Sequence, residues 1–551
     1  MNLRRFSVAF ATLLAAGTIL LAADANIQGG KDLRVANAAA QGDRDAVAAL
    51  IKQKVDVNTA QGDGMTALHW AAFKDDLALT KMLLTAGASV KATTRNGAIT
   101  PLNMAARNGN AAMVGALLKA GSSATEITAE GMTPLMAAAL SGSADTAKVL
   151  LDAGANVNAR EKAHSQTALM FAAAEGRADV IKLLASRGAD LKATTEVVKL
   201  ERARFDDDGN PLPVRPEEAA GNGSTVTGGN TVMGAMNALL FASREGMLDA
   251  VKALVTAGAD VNQPNAEKST PLLIAIANAH YTTAKYLVEA GADVNLVNSD
   301  GLTPLYAAIN MQYAPVSWAP NPLPDQEKVT HIELMKTLLD KGANPNVKLR
   351  KKLWFSPTSH DQQWVNPVGA TPFWRAAQAD DVVAMKLLVA HGADYKLTNS
   401  TGSTALHMAA GLGYSGNFSQ TNMDQWTDAV NYLVEDLRMD INAGDNQGYT
   451  PIMGAAWRGN NNLVQYLADH GAKLDARNKR GWSITDMANG PALRSSVPMV
   501  HPETIAFLVK LGAPELTKVE GEAILGSARG RGRVVPPAAK PPATKKDEPK
   551  K

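Results

Sequence analysis

EGMTPLMAAALSGSADTAKVLLDAGANVN, residues 130–158, holds nearly everything needed to read the fold. Glu130-Gly131 opens it as a turn, where glycine is free to take positive φ. Thr133 suits a helix N-cap, and Pro134 suits the first helical position, where its missing N–H costs nothing. Leu135 and the run Ala137-Ala138-Ala139 then face inward, small enough for neighbouring helices to approach closely. Gly142 ends this short helix through a left-handed residue. A second helix follows with Val149, Leu150 and Leu151 as its core stripe. Gly154 stops it, and Ala155-Asn156-Val157-Asn158 leads into the next turn. Two antiparallel helices and a loop cannot bury their apolar face alone; stacked copies can.

Residues 63–90, DGMTALHWAAFKDDLALTKMLLTAGASV, follow the same plan. The glycines that close each copy are Gly87, Gly121, Gly154, Gly188, Gly258, Gly291, Gly342, Gly392, Gly471 and Gly512. The first three spacings are 34, 33 and 34 residues, and Gly258 to Gly291 is 33. The gap from 188 to 258 exceeds a 33-residue period by 37, that from 291 to 342 by 18, and that from 342 to 392 by 17. The gap from 392 to 471 is 79, two periods plus 13. Each excess marks an insertion, near 196–230, 314–330, 348–368 and 414–425, and insertions in repeat arrays tend to project on one face.

The pattern resembles the ankyrin repeat. The family's Thr-Pro-Leu-His-x-Ala-Ala stands here as Thr66-Ala67-Leu68-His69-Trp70-Ala71-Ala72 and as Thr404-Ala405-Leu406-His407-Met408-Ala409-Ala410. Further copies open at Thr100-Pro101-Leu102, Thr167-Ala168-Leu169, Thr270-Pro271-Leu272, Thr303-Pro304-Leu305, Thr371-Pro372-Phe373 and Thr450-Pro451-Ile452. The resemblance covers residues 31–515. It implies an all-α ankyrin-repeat solenoid of helix-turn-helix units, about eleven full repeats plus an N-terminal half repeat. It also implies that His69 and His407 hydrogen-bond between neighbouring turns, and that turn tips and first helices line a concave surface for protein partners. Three places depart from the pattern. Residues 234–246, GAMNALLFASREG, lack Thr-Pro and read as less well capped. Leu437 sits where glycine is expected, in YLVEDLRMDIN. Residues 481–490 begin an irregular last repeat.

The flanks read differently. Arg4-Arg5, the apolar run from Val8 to Leu21 and Ala23-Asp24-Ala25 make residues 1–25 a secretory signal peptide. The apolar run of about 14 residues is shorter than a spanning helix needs, so the expected location is exported, periplasmic or secreted. The array then occupies 26–515. Residues 516–551, with Pro536-Pro537, Pro541-Pro542 and nine Lys and Arg against four Asp and Glu, read as a disordered basic tail. Electrostatic contact of that tail with acidic envelope polymers is expected. The 551 residues carry a formal charge of only +2, which leaves no domain-scale footprint for nucleic acid. Cysteine is absent, which excludes disulfides, thiolate metal sites and a cysteine nucleophile.

No nucleophile elbow, phosphate loop or zinc helix is visible, and neither cofactor nor metal is expected. Asp206, Asp208, Asn210 and Glu217 fall at calcium-loop positions 1, 3, 5 and 12. The required glycine is Pro211, so a solvated turn is the better reading. His391 and His470 precede helix-ending glycines, where a cation suits the helix C-terminus. His360-Asp361 lacks a nucleophile. Of eight tryptophans, seven lie beyond residue 317, and aromatic anchors dominate binding energy at interfaces. Trp318, Trp354, Trp364, Trp374, Trp426 and Trp457 are therefore the expected partner-binding residues. The segment Lys348 to Trp364, KLRKKLWFSPTSHDQQW, adds a basic run to two of them. The reading is a non-enzymatic protein–protein interaction scaffold of the cell envelope or exterior. The alternatives are a ligand-binding or enzymatic pocket built from the insertions, or an envelope-tethered structural component.

Overall fold

The computed structural model describes residues 27–28, 31–199, 204–205, 211–212, 232–313, 323–351, 353, 365–414, 426–491 and 500–516. These fall into two compact units, one reaching to residue 358 with 386–393, the other comprising 359–385 with 394 onward. Both are built from helix pairs. In the first unit Arg34–Gln41 precedes Arg44–Lys52, Ala67–Phe73 precedes Leu77–Thr85, Pro101–Asn108 precedes Ala111–Lys119, and Pro134–Ser141 precedes Ala144–Asp152. Ala168–Ala174 with Ala178–Ser186, Ala238–Arg244 with Leu248–Thr256, Pro271–Ala277 with Tyr281–Glu289, and Pro304–Gln312 with His331–Asp340 continue it. In the second, Pro372–Gln378 leads into Val382–Ala390, Ala405–Ala409 precedes Trp426–Asn431, Pro451–Arg458 precedes Asn461–Asp469, and Ile484–Ala488 precedes Pro502–Lys510. Within each unit successive first helices pack on one another; the second helices from Leu77–Thr85 to His331–Asp340 do so too, as do Asn461–Asp469 and Pro502–Lys510, giving two layers.

The local reasons match the residues. The side chains of Thr66, Thr100, Thr133, Thr167, Thr270, Thr303, Thr371 and Thr404 each accept from the backbone N–H three residues on. Behind each cap a leucine enters the core: Leu68, Leu102, Leu135, Leu169, Leu272, Leu305 and Leu406 are all at most 1% exposed. Full burial of each stabilises by about 1.5–3 kcal/mol. Two ladders tie neighbouring pairs together. The turn tips are linked backbone to backbone, as in Arg95 N to Asp63 O, Ala129 N to Gly97 O and Lys162 N to Glu130 O. Where a copy ends in asparagine, that residue bridges to the next: Asn58 Nδ2 donates to Gly87 O at 3.1 Å while its Oδ1 accepts from Ser89 N. Asn158, Asn295 and Asn442 do the same toward Gly188, Gly342 and Gly471.

Four features differ from the sequence expectations. The N-terminal half repeat is a whole helix pair, because Lys54 adopts φ 60 and ends the second helix where later copies use glycine. Left-handed backbone costs a non-glycine residue about 1–2 kcal/mol, part of which glycine returns as unfolded-state entropy. Lys54→Gly is thus expected to stabilise the protein by about 0.5–1 kcal/mol, seen as a higher urea midpoint; an unchanged or lower midpoint would contradict the assignment.

The helix start within 234–246 is fully capped, Asn237 Oδ1 accepting from Leu240 N at 2.8 Å. In the copy around Leu437 the glycine-like position is Arg438, at φ 52. The preceding turn Tyr432–Asp436 is a π-helix, and Leu437 N bonds Tyr432 O five residues back. The π-turn accommodates one extra residue, which is why the pattern slips by one. Fourth, the all-α body carries short antiparallel ribbons: Val197–Lys199 on Val232–Gly234 and Arg204–Phe205 on Pro211–Leu212, both at the first insertion, and Ile27–Gln28 on Lys31–Asp32.

The last pair keeps a capping box at Ser483 and Asp486 despite its irregular sequence. In the second insertion, Glu327 reaches back to the N-terminus of Tyr281–Glu289, which has no cap of its own. It accepts from Thr282 N at 3.0 Å and from Thr282 Oγ1 at 2.6 Å. The signal segment 1–25, the tail from 517, the calcium-loop residues and His360-Asp361 lie outside the described residues. Among the described residues no helix is long and apolar enough to cross a membrane.

Candidate functional site

Counting from the capping residue, positions 1, 2, 5 and 6 are buried in every first helix from Ala67–Phe73 to Pro451–Arg458. Ala67, Leu68, Ala71 and Ala72 are all 0% exposed. Position 3 varies, and where it is His69, Trp374 or His407 it reaches the carbonyl just before the next copy's cap. Positions 4 and 7 point away from the second helix, and stacking sets them side by side. In the first unit position 4 reads Asn37, Trp70, Met104, Ala137, Phe171, Phe241, Ile274 and Ala307 in successive copies. From Trp70 onward this is an apolar row, with Ala137, Phe171, Phe241 and Ala307 buried and Trp70, Met104 and Ile274 half-buried. At its N-terminal end Trp70 is half-buried and Phe73, at position 7, is 43% exposed. Their rings meet edge to face at 5.8 Å. The Trp70 indole N–H donates to Gln61 Oε1 at 2.8 Å, and Gln61 Nε2 donates to Asn37 Oδ1 at 2.7 Å. One polar edge fixes the half-buried ring beside the exposed Phe73, a form that aromatic anchors take.

Position 3 explains the histidines. His69 Nδ1 bonds Thr66, and Nε2 reaches Ile99 O on the next turn at 3.0 Å. His407 does the same toward Thr404 and Tyr449 O, at 2.8 Å for the latter. Burial holds both imidazoles below their ordinary value of 6.5, favouring the neutral form in the folded protein. The unfolded chain takes up these protons below about pH 6.5. Their contribution to stability is therefore complete above that pH and lost as pH falls further. The urea midpoint is expected to drop on going from about pH 7 to 5, and to drop less for His69→Asn with His407→Asn. Asparagine already stands at this position as Asn103. An equally steep loss in the double variant would refute the linkage. His391 and His470 place Nδ1 on the last-turn carbonyls of Leu387 and Tyr466, at 2.9 and 2.8 Å.

The expected tryptophans part company. Trp374 is no surface anchor: it is fully buried, at position 3, and its indole N–H donates to Ser403 O at 3.0 Å. It makes the bond that His69 and His407 make in their copies. Trp457, 2% exposed, is also core, donating to Tyr414 O at 2.7 Å. Trp426 is half-buried, with the Arg458 guanidinium 3.7 Å over its ring and Tyr414 edge-on at 6.0 Å. Arg458 pairs with Asp380 at 2.9 Å, the two side chains 1% and 0% exposed. Trp318, Trp354 and Trp364 lie outside the described residues. Trp70, the one tryptophan before residue 318, lies outside the C-terminal cluster from which the expected residues are drawn; reading position 4 copy by copy finds it.

Family models described as "Ankyrin repeats (3 copies)" match residues 12–94, 35–128, 75–161, 102–195, 239–349 and 327–418. One described as "Ankyrin repeats (many copies)" matches 432–488. Among curated proteins, the chain is similar to the ankyrin and armadillo repeat-containing protein of Mus musculus. The two are 29% identical over 183 residues, 32% of this chain and 11% of that protein. The Homo sapiens counterpart is 29% identical over 154 residues, 27% of this chain and 9% of its own length. Palmitoyltransferase akr1 of Schizosaccharomyces pombe is 48% identical over 56 residues, 10% of this chain and 9% of that protein. The match thus spans about a tenth of each relative.

Proposed function

The chain belongs to the ankyrin-repeat family, whose repeats indicate a protein–protein interaction scaffold, and from that premise we propose a non-enzymatic scaffold of the cell envelope or exterior. Its partner is held by the first-helix face of the first unit, anchored on Trp70 and Phe73. The observation that carries the reading is the aromatic pair at the N-terminal end of the position-4 row, where Trp70 is half-buried and Phe73 is 43% exposed. The inserted aromatics Trp318, Trp354, Trp364 and Trp426 are proposed as separate partner contacts. Export follows from the basic start, short apolar run and Ala23-Asp24-Ala25 of the N-terminus. The basic tail adds electrostatic contact with acidic envelope polymers.

Affinity capture from an envelope extract tests the reading, comparing the wild type with Trp70→Ala plus Phe73→Ala and with Trp354→Ala plus Trp364→Ala. Loss of one specific partner in the first variant, at unchanged stability, supports the face; identical partner sets in all three proteins would remove it. Export predicts a mature N-terminus at or near Asn26, and retention of Met1 contradicts it.

A further inference from the structure

We propose that the turn tip Lys348–Lys351 is a preformed docking point for an acidic segment of a protein partner. The tip is built rather than loose. Leu349 and Leu353, 2% and 4% exposed, anchor it to the core. Arg350 N and Lys351 N both donate to Asp300 O, at 2.9 and 3.0 Å. The stem of Arg350 crosses Gly301, where a Cβ would lie 2.6 Å from Arg350 Cγ. With the leucines turned in, Lys348, Arg350 and Lys351 are all exposed, and none of them makes an ion pair among the described residues.

The preceding tip, 296–302, has a single carboxylate, Asp300. It is 4% exposed and turned inward, so it leaves the outward charge uncompensated. Burial also raises its carboxyl above the usual range against the pull of Lys351.

Charge selects the ligand. Lys348, Arg350 and Lys351 are exposed around the buried Leu349, so three cations crowd one short tip. An acidic peptide can set carboxylates against them, and the guanidinium can take one of them bidentately. Non-specific nucleic-acid binding draws on about 6–10 phosphate contacts; this tip offers three charges on a chain of net charge +2.

The inference rests on the scaffold reading but uses a different surface. The full-length protein is titrated into a fluorescein-labelled peptide alternating glutamate and serine, with anisotropy read at low and moderate salt. The peptide is then crosslinked by carbodiimide and the modified lysines mapped. Binding that weakens with salt, is lost about tenfold or more in Lys348→Ser with Arg350→Ser and Lys351→Ser, and crosslinks to Lys348 and Lys351 supports the proposal. The basic tail is present in both proteins, so only the difference between them counts.

Equal affinity in the triple variant overturns the proposal. So does crosslinking confined to other lysines, or an absence of binding in the wild type. Single-stranded DNA or heparin binding tighter than the peptide through the same three residues would replace the peptide with a non-protein polyanion. The exposed substitutions leave the urea midpoint near that of the wild type. Trp70→Ala with Phe73→Ala retains peptide binding if the tip acts alone, so failure of the apolar face and failure of the tip are separable.

Discussion

Asp380→Ala is expected to lower the unfolding free energy by about 3–5 kcal/mol, the usual cost of stripping one partner from a buried ion pair. The loss arises because Arg458 would remain, 1% exposed, with its charge unopposed. The guanidinium is held on three sides: Asp380 Oδ2 at 2.9 Å, Ala409 O at 3.4 Å, and the rings of Trp426 and Tyr414 at 3.7 and 4.5 Å. It reaches them only because residue 411 is glycine; a Cβ there would stand 2.7 Å from Arg458 Cδ.

Two further variants separate the causes. Asp380 stands at φ 56, which asparagine tolerates better than alanine does, so Asp380→Asn removes the charge with little added strain. Burial pushes the Asp380 carboxyl up to about 7 despite the arginine. Desolvation thus outweighs the attraction, and removing both charges is expected to be nearly neutral. Asp380→Asn with Arg458→Met should recover most of what Asp380→Ala loses, measured as urea unfolding of the second unit. A double variant as weak as Asp380→Ala would show instead that the pair is a net stabiliser. Tyr414 and Trp426 flank the fourth insertion, so the same arginine also determines where that insertion leaves and rejoins the repeat.

Trp374→Ala is expected to cost about 3–5 kcal/mol, the range for emptying the site of a fully buried aromatic residue. Trp374→His should cost less. Histidine is the residue that makes the corresponding bond from His69 to Ile99 O and from His407 to Tyr449 O, so it can restore the bond to Ser403 O while leaving some of the volume empty. Trp426→Ala, at a half-buried ring, is the comparison and should lose clearly less. A Trp374→Ala protein as stable as the wild type, yet defective in partner capture, would return this residue to the binding surface.

How much was legible varies by element, for a physical reason in each case. Thr133, Pro134, Gly142 and Gly154 act within a few residues of themselves, through a cap, a fixed φ or a left-handed turn, so their positions in the chain reveal the helix ends. Lys54 and Arg438 perform glycine's role without its sequence signature, and the π-turn at Tyr432–Asp436 shifts the register by one residue. Asn237 caps as well as threonine does but belongs to no matching motif.

The six tryptophans chosen from composition show the limit most clearly. Abundance in the second half of the chain says nothing about which way a ring points; Trp374 turns inward and Trp426 lies along Arg458. Trp70, hidden in a regular copy, is half-buried beside the exposed Phe73.

By itself the sequence determined the repeating helix pair, its period, its caps and the family, since each rests on contacts a few residues apart and recurs many times. Only the tertiary structure decided which side chains are core and which are surface. It closed Arg458 on Asp380, 78 positions apart, placed Trp374 on Ser403 and aligned position 4 of successive helices into one apolar row. Those pairings join different copies of the repeat, and neighbouring copies choose their side chains independently until stacking brings them into contact.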